Sequence, residues 1–147
     1  MFQGATRLNI DPKGRLAIPA KRREELQNGG NGRLVVTAWP DRCLYLYPEP
    51  TWVEIRQQVA ALPQFDESIV KWKRLILGYA EEIEADNAGR VLLAPALRDF
   101  ARLEKELMFV GQGRHFEIWN KQDWDRQIAS FDGQPSRPPE GFATIEF

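Results

Sequence analysis

The chain has 147 residues, 43% hydrophobic and 28% charged, with 20 Lys and Arg against 21 Asp and Glu and a net charge of -1. That is the composition of an ordinary globular protein able to bury a core, and it excludes collagen-like, disordered and disulfide-framework classes. A single cysteine, Cys43, and a single histidine, His115, exclude an intrachain disulfide and a zinc site built from Cys and His, and the near-neutral balance means that nucleic-acid binding would need a local cluster of cations.

In chain order, 5–10 alternates as a strand, with Thr6, Leu8 and Ile10 on one face and Arg7 and Asn9 on the other. Asp11-Pro12-Lys13-Gly14 carries the preferences of a type I turn, and 15–18 returns as a strand. Pro19 suits the first position of a short helix ending near Asn28-Gly29-Gly30, and strands follow near 34–38 and 43–47. Thr51 with Glu54 forms a capping box ahead of Trp52, Ile55 and Val59, a helix that Pro63 ends. A further helix over about 66–77 carries Ile69, Trp72 or Lys73, and Ile76 on one side and acts as a connector.

The pattern then repeats. A strand over 79–85 leads to the turn Asp86-Asn87-Ala88-Gly89 and a returning strand over 90–93. Pro95 opens a short helix ending near Leu103, strands lie near 107–111 and 115–119, and Asp123 starts a helix with Trp124 and Ile128. The motif recurs at an offset of 75, then 76 after one inserted residue, so that Lys21-Arg22-Arg23 faces Leu97-Arg98-Asp99. Leu34 to Thr37 faces Leu107 to Val110, Leu44 to Tyr47 faces Phe116 to Trp119, and Trp52 faces Trp124, which together indicate a duplication. From Asp132 onward Gly133, Pro135, Pro138, Pro139 and Gly141 leave no period, and a loose tail is expected. The expected organisation is a first repeat over 1–50, a helical connector over 51–77, a second repeat with its helix over 78–131, and the tail over 132–147.

Asp11 and Gly14 with Arg15, and Asp86 and Gly89 with Arg90, tie each turn to an Arg opening the next strand; the plain reading is a salt bridge that holds the turn. The two copies differ in charge. Residues 1–23 carry Arg7, Lys13, Arg15, Lys21, Arg22 and Arg23 against Asp11, a local +5, whereas 76–103 sums to -2. A +5 cluster on a turn and an adjacent helix is what phosphate binding needs, with Arg15 placed for a guanine edge and Lys13 at the tip for a phosphate or a guanine edge. In the second copy Ala88 replaces Lys13 and Asp99 replaces Arg23, so Arg90 is assigned to the scaffold.

Met1 to Thr6, the Asp11 to Pro19 and Asp86 to Pro95 motifs, Leu75-Ile76-Leu77-Gly78, and Val110-Gly111-Gln112 with Phe116 to Trp119 resemble the MraZ family over about 1–130. The resemblance implies a mainly β fold with short helices, in which two AbrB-like swapped-hairpin units form a pseudo-twofold β-barrel. It also implies a ring-shaped homo-oligomer that binds direct repeats of double-stranded promoter DNA ahead of its own operon and regulates the division and cell-wall gene cluster, as a repressor. Carried over to this chain, it supports Arg15 as the base-reading or essential phosphate contact with Lys13 beside it. Arg22 and Arg23 stand where related AbrB-type proteins carry basic residues after the proline, Lys21 joins the DNA-binding candidates from the same basic cluster, and Arg7 follows from strand alternation.

Two other classes remain in view. An antitoxin-like interaction protein shares the AbrB-like unit but would need a partner-wrapping segment, for which the tail is the candidate. A small hydrolase using Glu81 or Asp86 with His115 lacks a nucleophile with a base at useful spacing. No catalytic residue, metal or cofactor is expected. His115 reads as surface, Cys43 as core, the Trp and Tyr residues as core and subunit interface, and Glu81, Glu82 and Glu84 as a solvated face. No apolar run approaches the roughly 20 residues of a membrane helix, and no signal core opens the chain, so a cytoplasmic protein without membrane contact is expected, and the DNA binding that the resemblance implies would make it nucleoid-associated.

Overall fold

A computed structural model describes residues 1–133 and 137–147. In chain order its elements are β1 (Ala5–Asn9), β2 (Arg15–Ala17), α1 (Ala20–Asn28), β3 (Leu34–Trp39), β4 (Cys43–Pro48), α2 (Glu49–Ala60), α3 (Glu67–Ile76), β5 (Glu81–Ile83), β6 (Arg90–Leu92), α4 (Pro95–Phe100), β7 (Glu106–Gly111), β8 (Phe116–Asn120) and α5 (Lys121–Ala129). Six strands form an antiparallel sheet in the order β1-β7-β8-β4-β3-β5, and β2 pairs with β6. The order reads the same from both ends once β1 to β4 are exchanged for β5 to β8. The molecule thus has a pseudo-twofold axis, the mainly β, short-helix architecture expected.

The pairing is crossed between copies. β1 pairs with β7 through Leu8 and Leu107, and β5 pairs with β3 through the equivalent Ile83 and Leu34. At one open edge β1 continues through the Ile10 to Leu16 bridge into β2, which pairs with β6. Neither copy can therefore complete its sheet without the other.

The main core lies between the inner sheet face and the β2-β6 ribbon. Leu16, Ile18, Leu26, Val91, Leu93 and Leu97 meet Leu34, Val36, Leu44, Leu46, Leu107, Phe109, Phe116 and Ile118. The outer sheet face is covered too: Trp52 and Ile76 pack on Val35 and Tyr47, and Trp124 packs beside Cys43, Met108, Val110 and Trp119. Double coverage explains why β3 is a near-continuous apolar run rather than an alternating one. Cys43 is fully buried, and burial pushes its thiol well above the usual range.

Four local expectations change. The inserted residue between the copies does not exist, because Pro19 is the N-cap of α1 whereas Pro95 is already inside α4. The offset therefore stays at 75, and the match of Lys21-Arg22-Arg23 to Leu97-Arg98-Asp99 is out by one. The strand expected over 79–85 shrinks to β5, because helical hydrogen bonding runs on past α3 to Tyr79. Thr51 caps nothing: Pro48 is the N-cap of α2 and Pro50 lies in its first turn, where proline's fixed φ suits the backbone. Likewise α5 starts at Lys121, with the Asn120 side chain accepting the Asp123 N–H at 3.0 Å. Within the expected tail, 134–136 lie outside the described residues, and the remainder carries one 3-10 turn, Glu140–Phe142.

Candidate nucleic-acid interface

Each turn is built by its aspartate. Asp11 Oδ1 accepts the N–H groups of Lys13 at 3.0 Å and Arg15 at 2.8 Å, while Oδ2 accepts Arg15 Nε at 2.8 Å. Asp86 repeats this with Ala88 and Arg90, both at 2.9 Å, and with Arg90 Nε at 3.1 Å. The backbone N–H of Arg15, ahead of its guanidinium, holds the Asp11 carboxyl below the usual carboxylate range, and the backbone N–H of Arg90 does the same for Asp86. The i to i+3 bonds, Gly14 N–H to Asp11 O and Gly89 N–H to Asp86 O, are both 2.9 Å. Gly14 and Gly89 sit at φ +87° and +77°, the left-handed region that glycine enters without steric cost.

The turns are also locked to each other. Ile18 N–H donates to Gly89 O at 3.0 Å and Leu93 N–H to Gly14 O at 2.9 Å, so each returning strand grips the opposite turn. Over each glycine lies an arginine from the other copy. Arg98 donates Nε to Leu93 O at 3.0 Å, and its guanidinium carbon would stand 2.7 Å from a Cβ on Gly14; Arg23 donates to Ile18 O at 3.0 Å and covers Gly89 in the same way. Arg98 is therefore the true counterpart of Arg23, and Asp99 does not replace it.

This crossing redraws the charge map. The +5 counted along the first copy does not gather at the first turn: Arg23 lies over the second turn, while Arg98 comes to the first. Arg22 pairs with Glu25 at 2.9 Å and rests against Gly4. Arg7 faces the sheet side opposite Leu8, away from the ribbon, and pairs with Glu106 at 2.6 Å. Lys21 is exposed on α1. The first turn is left with exposed Lys13 at its tip, Arg15 and Arg98; the second has Ala88, Arg90 and Arg23.

The ribbon gives these turns a shared outer face. Leu16 opposes Val91 and both point into the core, so Arg15, Ala17, Arg90 and Leu92 point outward. Arg15 stands opposite Leu92 and Arg90 opposite Ala17, which makes the two arginines diagonal neighbours, about 7–8 Å apart by sheet geometry. Arg15 is 35% exposed and Arg90 40%; each is tethered at Nε by its aspartate, leaving the terminal nitrogens for an external acceptor. Assigning Arg90 to the scaffold captured its bond to Asp86 but missed that alternation puts it on the same face as Arg15. Arg98 was missed because a one-residue shift in the repeat hid its relation to Arg23.

The far side of the sheet carries the other polar group of note. His115 is not a surface residue: its side chain is 16% exposed, stacks on Tyr45 with ring centroids 4.0 Å apart, and lies 3.7 Å from Glu117. Burial works to raise the Glu117 pKa, but the His115 ring beside it and the Trp119 Nε1, which donates to it at 2.8 Å, bring it below the usual range. Burial pushes Tyr47 up to about 12. Among the described residues no three His, Cys, Asp or Glu side chains gather as a metal site, and no helix is long and apolar enough to cross a membrane.

The sequence model of a family described as "MraZ protein, putative antitoxin-like" matches residues 1–73 and 76–141. A protein of Methylobacillus flagellatus named "Transcriptional regulator MraZ" is 52% identical over 128 residues, covering 87% of this chain and 86% of its own. Proteins of the same name from Saccharophagus degradans and Nitrosomonas eutropha are 48% and 46% identical; the first alignment covers 95% of this chain and 96% of the relative, the second 97% and 99%. These names are of regulators, not of enzymes.

Proposed function

The chain belongs to the MraZ family, and from that premise we propose that it is a sequence-specific DNA-binding transcriptional regulator that places the β2-β6 ribbon in the major groove of promoter DNA. The observation that carries this reading is the ribbon's outer face, with Arg15 and Arg90 at diagonal corners and Lys13 at one tip. Two strands about 4.8 Å apart fit a groove about 12 Å wide, and a guanidinium held at Nε can offer its two terminal nitrogens to guanine O6 and N7. Lys13 supplies a phosphate contact, and Lys21 lies on α1 as a second backbone contact.

The chain acts as a repressor of the division and cell-wall gene cluster, binding direct repeats ahead of its own operon. It does so as a ring-shaped homo-oligomer, cytoplasmic and nucleoid-associated, in which successive subunits face successive grooves. Its organisation is a first repeat over 1–50, a connector over 51–77, a second repeat over 78–131 and a tail over 132–147. The wording of the matched family favours one alternative, an antitoxin-like interaction protein.

The test is fluorescence anisotropy on the duplex upstream of the chain's own gene against a scrambled duplex, at two salt concentrations. Specific, steeply salt-dependent binding is expected, with Arg15→Ala losing about 10- to 100-fold, the range of one bidentate base contact. Arg90→Ala should lose less, because its turn lacks a lysine. Equal weak binding to both duplexes would sink the DNA reading and bring the interaction protein forward.

A further inference from the structure

Between α3, the turn joining β3 to β4, and the end of α4 lies a cavity of about 500 Å³. Its walls include the aromatic residues Trp72, Tyr79 and Phe100 and the cations Arg42, Lys71 and Arg74. None of these three cations takes part in an ion pair among the described residues. Arg42 is held at φ +64° with its guanidinium carbon 4.5 Å from the centre of the Phe100 ring. Lys71 and Arg74 stand one helical turn apart, a like-charge spacing that disfavours the helix unless an anion lies between them. Trp72 is nearly half exposed, its ring edge-on to Trp39 at 5.4 Å.

The chain itself contains a segment of the complementary kind. Residues 140–147, Glu-Gly-Phe-Ala-Thr-Ile-Glu-Phe, hold two carboxylate side chains, no Lys or Arg, and the apolar side chains Phe142, Ile145 and Phe147. All three of those apolar side chains are exposed, and none joins a core cluster. The centres of the Phe142 and Phe147 rings lie 6.3 Å apart at 26° to each other, and Phe147 is 96% exposed. Scattered exposed apolar residues need no explanation, but three of them within six residues, flanked by carboxylates, make a patch that does.

We propose that the segment 140–147 of one copy docks in the Arg42-Lys71-Arg74 groove of a second copy, its aromatic pair on Trp72 and Phe100 and its carboxylates among the three cations. The neighbouring apolar cavity between α2 and α3 fits this segment less well. Its one cation, Lys73, already donates to Ala60 O at 3.2 Å and Leu62 O at 2.6 Å, so Glu140 and Glu146 would be left unpaired there. The contact joins two different surfaces and is therefore heterologous, the kind that generates rings when its rotation closes. It is independent of the DNA contact, and its failure would leave that reading standing.

The test is site-directed cross-linking in the full-length protein. Lys71→Cys and Glu146→Cys chains with different tags are co-expressed and oxidised; native Cys43 is fully buried, which keeps the background low. The expected result is a disulfide-linked pair carrying both tags, forming at least ten times faster than with Glu81→Cys in place of Lys71→Cys. Adding Phe142→Ser with Phe147→Ser, or Arg74→Glu, should slow it by a similar factor, and Glu140→Lys should restore part of the Arg74→Glu loss. Bridging no faster than the Glu81→Cys control, or unaffected by the serine changes, overturns the proposal. So does a chain carrying both cysteines that cross-links only within itself when co-expressed with an excess of wild type.

Discussion

The two turns of this protein share a backbone and differ in what they offer to a partner. Asp11 and Asp86 make the same three hydrogen bonds, and Gly14 and Gly89 take the same left-handed conformation under an arginine from the opposite copy. What separates them is Lys13 against Ala88, one exposed cation at the tip, together with Pro12 against Asn87. The motif is therefore a structural device first, and in the proposed function it reads DNA only to the extent of its outward side chains. The exchange of Arg23 and Arg98 across the axis shows that local charge has to be counted where side chains arrive rather than where they are encoded.

The largest effect that would test this equivalence comes from adding a methyl group to either turn. Gly14→Ala and Gly89→Ala should each destabilise the fold by roughly 1–2 kcal/mol from the left-handed backbone alone. The expected drop in Tm is about 2–8 °C for a chain of this size, read by thermal unfolding. Equal losses would support two structurally equivalent turns; a loss confined to one would break the symmetry. Displacing Arg98 from above Gly14 should also weaken DNA binding more than displacing Arg23 from above Gly89.

A smaller effect sharpens the functional difference. Lys13→Ala should weaken binding almost uniformly across DNA sequences and lower the salt slope by about 1, as expected for one phosphate contact. Ala88→Lys should raise the slope by a similar amount if the second turn also faces the phosphate backbone. No change with Ala88→Lys would mean that the first turn alone approaches DNA.

The smallest effect is on pH dependence. Asp11 and Asp86 both titrate below their ordinary range when folded. The stability they contribute is complete above the unfolded carboxylate value of about 3.9 and is lost as pH falls through the lower folded values. Asp11→Asn should therefore lower Tm at neutral pH, with its curve converging on that of the wild type below about pH 4. Parallel curves down to pH 2 would separate the carboxylate charge from the integrity of the turn.

Much of this architecture is legible in the chain. The recurrence of Asp-x-x-Gly-Arg announces both turns, because only glycine accepts the left-handed position at low cost and only an acceptor such as aspartate can hold two backbone N–H groups and a guanidinium together. Strand alternation around Leu16 and Val91 already points Arg15 and Arg90 away from the core. Helix starts were less legible: Thr51 and Asp123 look like caps, but Pro48 and Asn120 win because each strand ends one residue later than its apolar pattern suggests and passes straight into the helix, its last residue serving as the N-cap.

What the sequence determined by itself was the duplication, the turn chemistry and the class of fold, all of which rest on interactions between residues a few positions apart. Which copy completes which was decided only by the tertiary structure. The pairing of β1 with β7 and of β5 with β3, the passage of Arg23 and Arg98 across the axis, and the diagonal placing of Arg15 and Arg90 join residues between 45 and 105 positions apart. Local spacing carries no information about such partners, because two near-identical repeats can each satisfy their own pattern in either pairing. The crossed form joins strands of both copies in one sheet and buries one shared core between them.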